Sequence, residues 1–354
     1  MEDHLLIPYS FLTDKKKVVP KLSSEEEKEL IKLSSRFSLS SLILDFNSFS
    51  EANNFLMNKL LFEQKISIIK QMSTEKDLKT IINKFESNQV EMIVLKGNAL
   101  ILKKLINSRL RQTKDIDILI DKENLPKAYI KLRELGYRYI NPLAKDAANV
   151  LYSHHMPTMI NENGTLVELH WRITKESIFK KCPLIDLIKE EKEPIADNKF
   201  CFLPSRESLL IHIAYHGLIA NHMKLDPSFF SDIKSIIKDT DTSNKKILSI
   251  LDEMNIKKEM ISVYELIRNT SELGFFSKES KTKLYDALSR LNSREEKGYS
   301  FSKFIRNKES FDLIIKRIKE KYKFTQYKYQ RKNGFLLWLL FLKELINSIK
   351  KFKL

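Results

Sequence analysis

The sequence predicts an α+β protein, mostly helical, in which a small mixed β-sheet core is flanked by N-terminal and C-terminal helical lobes. Three observations carry that prediction. Only 7 glycines and 9 prolines punctuate 354 residues, which leaves long stretches free to run as helix. Apolar residues recur at helical spacing on both sides of the chain's centre. Between them lies a group of short apolar runs bounded by turn residues, the pattern of buried strands. The chain therefore divides into an N-terminal helical region (1–86), an α/β core (87–175) and a C-terminal helical region (176–354).

In the first region Leu56, Leu60, Leu61, Ile68, Ile69 and Met72 follow helical spacing. Ser23 or Ser24 ahead of "EEEKELIKL" is a helix N-cap, and the acids of the first turn face the positive end of the helix dipole. Three or four helices are expected over residues 24–86.

The core opens with "VEMIVLKGN", where Met92, Ile93, Val94 and Leu95 form an apolar run closed by Gly97, a strand leading into a turn. "ALILKKLIN" then has helical spacing, and "DIDILID" is a second strand. "KENLPKAYIKLRELGY" reads as a helix ended by Gly136. "HMPTMINENGTLVELHWRI" reads as two strands about the turn "NENG". Beyond it, "SRESLLIHIAYHGLIANHM" is an amphipathic helix capped by Ser205, and the remainder is helical with Lys-rich faces.

Lys and Arg outnumber Asp and Glu by 62 to 46, a formal charge of +16. A field of that sign attracts phosphates, nucleotides, RNA or anionic lipid, and a solvated Lys-rich surface is its plainest reading. Cys182 and Cys201 have no zinc-binding spacing and read as ordinary thiols of a reducing compartment. "MEDHLLIPYSF" has no basic n-region followed by an apolar run, so no signal peptide is expected. The longest apolar stretch, Gly334 to Leu342, is about nine residues against the roughly 20 that span a bilayer. A cytoplasmic location is the expectation.

The segment "RQTKDIDILID" carries the chemistry. On a strand Asp115 and Asp117 face one side while Ile116, Ile118 and Ile120 fill the other. Two carboxylates so close repel, and a hard divalent cation is their natural compensator. A wet strand end, with the acids pairing Lys114 or Arg111, is the structural alternative. Three features weigh against that alternative. The turn "LKGN" lies just upstream, where Gly97 lets the backbone approach a phosphate and the next helix offers free N–H groups. In "TLVELHW", Glu168 and His170 share one face, so a third acid and an imidazole can join the pair. Arg109 and Arg111 precede the acidic strand and can neutralise a triphosphate.

Other histidines read more plainly as structural. His154 and His155 are adjacent and cannot both point one way on a strand. His212 and His216 share a helix face, with His222 beyond, and Asp232 is placed to orient one of them. The end of the chain, "KYKFTQYKYQRKNGFLLWLLFLKELINSIKKFKL", interleaves aromatics with Lys and Arg. It reads as a closing helix, as a nucleic-acid contact or as a peripheral membrane contact.

Taken in order, "LKGNALILKKL", "RQTKDIDILID", "LRELGY" and "VELHW" resemble the nucleotidyltransferases of the DNA polymerase beta superfamily, and more narrowly the uncharacterised nucleotidyltransferase family, the fifth NTP-transferase group. "LLIHIAYHGLIANHMKL" followed by "FFSDIKSII" extends the resemblance, so that it covers roughly residues 25–240. The resemblance implies that Asp115, Asp117 and Glu168 are catalytic and metal-binding. The two aspartates would hold two Mg²⁺ ions, with Mn²⁺ as the alternative, and Glu168 would activate the acceptor hydroxyl. Gly97 and Asn98 would seat the β and γ phosphates, with Lys96, Arg109, Arg111 and His170 completing the nucleotide site. The implied reaction is in-line attack on the α-phosphorus of an NTP with pyrophosphate leaving. The acceptor stays open among RNA, protein, sugar and small molecule. One departure stands in the phosphate turn, where the superfamily prefers Gly followed by Gly or Ser and this chain has Lys96, Gly97 and Asn98. The other reading is a catalytically inactive nucleotide- or RNA-binding module with a basic C-terminal segment, peripheral to a membrane in one version.

Overall fold

The computed structural model describes residues 3–12, 17–50, 53–140, 154–173, 183–220, 227–238, 240 and 244–273. Cys182, His222 and the basic-aromatic segment from Lys321 to Leu354 lie outside them.

After a 3-10 segment, Asp3–Leu12, and a short strand β1 (Lys17–Val19), the N-terminal region folds into α1 (Ser24–Phe37), α2 (Ser40–Phe46), strand β2 (Asn47–Phe49) and the long helix α3 (Asn54–Ser87). Ser23 caps α1 in a reciprocal capping box: its Oγ accepts from the Glu26 N–H, and the Glu26 carboxylate accepts from the Ser23 N–H. The core follows as β3 (Met92–Val94), α4 (Lys96–Leu102), β4 (Asp115–Leu119), α5 (Leu125–Glu134), β5 (Arg138–Tyr139), β6 (Met159–Ile160) and β7 (Leu166–His170). Then come α6 (Pro183–Glu190), β8 (Glu193–Pro194), β9 (Cys201–Leu203), α7 (Arg206–Tyr215), α8 (Pro227–Ile237), α9 (Lys245–Glu253) and α10 (Lys257–Leu273).

The main sheet has the order β5-β6-β7-β4-β3-β9-β8 and mixes directions. β4 runs parallel to β7 and antiparallel to β3, while β3 runs parallel to β9. The expected limit of the core at residue 175 therefore needs correction, because β8 and β9 join the same sheet from beyond it. They complete the edge that β3 would otherwise leave unpaired.

One apolar cluster runs from Ile7 to Ile267 through all three regions. Ile116, Ile118 and Ile120 are buried, as are Val167 and Leu169 beside them, and α3 packs across β4, β9 and α5. Alternation thus places the apolar face of β4 and β7 inside and the acidic face opposite. Helix α7 differs from its expected amphipathic form: every residue from Ser208 to Tyr215 is buried, because α7 is enclosed by α4, α6 and α8.

Two polar anchors tie the layers together. Asp77 of α3 accepts hydrogen bonds from Asn161 Nδ2 (2.9 Å), Asn163 Nδ2 (3.1 Å) and Thr165 Oγ1, which fixes the "NENG" turn and so the start of β7. Lys234 of α8 donates to the carbonyls of Phe11 (2.8 Å) and Leu12 (3.1 Å), closing the end of the N-terminal segment. The thiol of Cys201 is buried in β9, and that burial pushes it up to about 12, as expected of a structural cysteine. Among the described residues no helix is long and apolar enough to cross a membrane.

Candidate active site

The parallel pairing of β4 with β7 sets Asp117 beside Glu168, Asp115 beside Leu166 and Leu119 beside His170. Since alternate residues share a face, one sheet face carries Asp115, Asp117, Glu168 and His170 together. The two acids of β4 thus gain a third acid in register.

Asp117 is the centre of the group and only 2% exposed. Its Oδ1 accepts from Lys96 Nζ and from His170 Nε2, each at 2.8 Å. Both donors use the same oxygen, so Oδ2 carries no hydrogen bond among the described residues. His170 Nε2 also lies 3.5 Å from Glu168 Oε2. The other oxygen of Glu168, Oε1, accepts from Thr158 Oγ1 at 2.8 Å. Ligand atoms of Asp117, Glu168 and His170 all lie within 4.8 Å of one another. Asp115 stands outside that triad, half-buried, and its carboxylate makes no hydrogen bond or ion pair among the described residues.

The electrostatics follow from this packing. Burial works against charge on Asp117, but the Lys96 ammonium and the His170 imidazole outweigh it and hold the carboxyl well below the usual range. Burial likewise opposes charge on Glu168; the hydrogen bond from His170, the charge of His155 and the Thr158 hydroxyl bring it down to about 2. Asp115 goes the other way: burial and the neighbouring Asp117 carboxylate push it up to about 6. Burial opposes protonation of His170, yet its hydrogen bonds to Asp117 and Glu168 raise it. Lys96 is raised in the same way, its burial outweighed by Asp117.

Lys96 reaches Asp117 from a left-handed backbone, φ 51°. That region favours glycine and costs other residues energy. The departure seen in the phosphate turn thus has a structural meaning: a glycine-type conformation carries a lysine whose ammonium lands on the central aspartate.

The remaining residues of the turn hold the strand. Asn98 is buried, donates from Nδ2 to the Asp115 carbonyl (2.7 Å) and accepts at Oδ1 from Thr113 Oγ1 (3.3 Å). Thr113 Oγ1 and its N–H both reach Gln71 Oε1, at 3.0 and 2.8 Å, so α3 is linked through Thr113 to the acidic strand. Gly97 serves this packing: a Cβ there would stand 2.9 Å from Thr113 Cγ2. Arg111 is gripped by Asp232 of α8 through two parallel bonds, Nε to Oδ1 (2.8 Å) and a terminal nitrogen to Oδ2 (3.0 Å). Of the residues expected to bind nucleotide, Lys96 and His170 join the carboxylates; Asn98 and Arg111 are engaged in holding the scaffold. Arg109 is exposed, with no side-chain contact to the acids among the described residues. Asp232, expected to orient a histidine, accepts both of these Arg111 bonds.

The charges of Lys96, Asp117 and His170 act on the histidines of α7 and its continuation. His216 begins a single π-helical turn, His216–Ala220. Burial, then the charge of Lys96, keeps His212 well below its usual range and His216 down to about 4, so both are neutral near pH 7. The rings of His154, His155 and His170 cluster at centroid distances of 4.5 to 5.5 Å, and His155 forms a β-bridge with His170.

A family model described as an uncharacterised nucleotidyltransferase matches residues 24–270. The chain belongs to this nucleotidyltransferase family. No curated protein and no solved structure matches it. The family match begins at the first residue of α1 and includes β3 through β9, so every strand of the main sheet and every side chain of the site lies within the nucleotidyltransferase region.

Proposed function

We propose that this chain is a metal-dependent nucleotidyltransferase that moves a nucleoside monophosphate from an NTP onto an acceptor hydroxyl and releases pyrophosphate. The observation that carries the reading is the register of Asp117 with Glu168, with Asp115 on the same face two residues away. In a chain of net charge +16, carboxylates gathered on one face form a local site for cations. The donor set fits such an ion: ligand atoms of Asp117, Glu168 and His170 lie within 4.8 Å of one another, and Asp115 stands on the same face. Bound there, a divalent cation would neutralise charge on the transferring phosphate and on the attacking and leaving oxygens.

The chain's own residues supply the rest. Lys96 puts a fixed positive charge at the edge of the carboxylates, and a triphosphate brought to them gains that ammonium as a counter-charge. Glu168, ionised down to about pH 2, accepts a hydrogen bond from the acceptor hydroxyl and orients it. Asn98, Thr113 and Gln71 keep β4 where these groups can act.

Isothermal titration of the full chain with each NTP in millimolar Mg²⁺ or Mn²⁺ tests the substrate class. Saturable binding that needs the metal and weakens in Lys96→Met is expected. Heats at the buffer level for every NTP with both metals would remove the reading.

A further inference from the structure

The carboxylates of this site do not stand alone, and the imidazole among them decides which ion they take. We propose that His170 Nε2 is itself a metal ligand, so that the Asp117–Glu168–His170 position selects a first-row transition dication, represented by Mn²⁺, over Mg²⁺. The inference deepens the transfer reading by naming the ion and depends on that reading for the ion's role.

The geometry comes first. Nε2 lies 2.8 Å from Asp117 Oδ1 and 3.5 Å from Glu168 Oε2. Ligand atoms sharing one ion at bond lengths of about 2.0–2.2 Å stand roughly 2.8–3.6 Å apart. The imidazole nitrogen is therefore already at ligand–ligand separation from an oxygen of each acid. In this structure an N–H bridges the gap to Asp117, at the place where two carboxylates and the ring converge; an ion bound there would replace that proton, which leaves to solvent. The ring is held there by β7, whose register is fixed to β4 over five residue pairs, and by the β-bridge to His155.

The chemistry of the donors comes second. Mg²⁺ demands hard oxygen ligands in near-ideal octahedral geometry and keeps much of its water, whereas an imidazole suits borderline transition ions. A triad of two carboxylates and one imidazole departs from the all-oxygen set, and it does so at a buried position, with His170 3% exposed. Asp115, which supplies oxygen alone, lies outside the triad. The face thus offers two unlike positions: a mixed nitrogen–oxygen one and an oxygen-only one beside it, suited to a Mg²⁺ that arrives with the nucleotide.

The test is electron paramagnetic resonance on the chelator-stripped full chain titrated with Mn²⁺, with electron spin-echo modulation to detect a directly bound nitrogen. One Mn²⁺ position with a clear ¹⁴N coupling is expected, binding at least about tenfold more tightly than Mg²⁺ in competition. The coupling should survive His155→Gln and Asp115→Asn and vanish in His170→Gln. The wild-type coupling needs no variant, so a folding defect in His170→Gln cannot mask the answer. Mn²⁺ bound without ¹⁴N coupling, coupling lost in His155→Gln instead, Mg²⁺ competing at equal concentration, or no Mn²⁺ uptake would each overturn the inference. Failure of the transfer reading looks different: ¹⁴N-coupled Mn²⁺ would be present while no NTP binds.

Discussion

Lys96 and Asp117 form a 2.8 Å ion pair in which a lysine in left-handed backbone delivers its ammonium to the most buried acid of the site. The conformation and the contact come together, and they pull stability in opposite directions. Replacing Lys96 by Gly removes the backbone cost, on the order of 1 kcal/mol, while Lys96→Met keeps that cost and loses the same ion pair. Thermal unfolding should therefore rank Lys96→Gly above Lys96→Met, and both should lose metal-dependent NTP affinity. A Met variant more stable than the Gly variant would show that the left-handed turn carries no strain.

Burial and the neighbouring Asp117 carboxylate push the Asp115 carboxyl up to about 6 from its ordinary 3.8. The folded state therefore holds this proton more tightly than the unfolded chain. Its contribution is fully present below about pH 3.8 and is lost as pH rises through 6. At pH 7, without metal, Asp115→Asn should be more stable than the wild type, by on the order of 1 kcal/mol once screening by the open side of the site is allowed for. The same variant should lose nucleotidyl transfer. Carboxylate infrared or carbon NMR titration of the metal-free protein checks the midpoint near 6.

Gly97 and Thr113 are in close contact, and the contact belongs to the chain that runs from Gln71 to the Asp115 carbonyl. Gly97→Ala should cost about 1–3 kcal/mol by pushing on Thr113 Cγ2. Adding Thr113→Ser removes that methyl and keeps the hydroxyl, so the double variant should recover much of the loss. A double-mutant cycle by chemical denaturation measures the coupling.

The paired bonds between Arg111 and Asp232 join the segment before β4 to α8. Arg111→Lys keeps the charge and loses the fork, so it should destabilise the fold by about 1–3 kcal/mol and change NTP affinity little at temperatures where it stays folded. A large rise in NTP dissociation constant with unchanged unfolding would instead place Arg111 on the nucleotide.

Much of this site is legible in the sequence because a strand writes its faces in alternation. Asp115 and Asp117 among isoleucines, and Glu168 and His170 among Val167, Leu169 and Trp171, show by alternation alone which side chains share a face. What is not legible is who holds them. Arg111 and Asp232 are 121 residues apart, and Thr113 and Gln71 are 42 apart; no local period announces such pairs. Asn98 and Gly97 sit where a phosphate turn is expected, and only the packing reveals that they hold β4. Strands β8 and β9 are two and three residues long, too short for alternation to register, so the sheet extends beyond its expected limit. Lys96 hides its role for another reason: lysine carries no signal for left-handed backbone.

A transfer assay that follows the phosphate tests the reaction itself. The full chain is incubated with Mn²⁺ or Mg²⁺, NTPs labelled at the α- or the γ-phosphate, and RNA, protein and metabolite fractions as acceptors. Metal-dependent label from the α-phosphate is expected in one fraction, with pyrophosphate released and transfer lost in Asp117→Asn. Label arriving from the γ-phosphate, or transfer undiminished in Asp117→Asn, would contradict the proposed reaction.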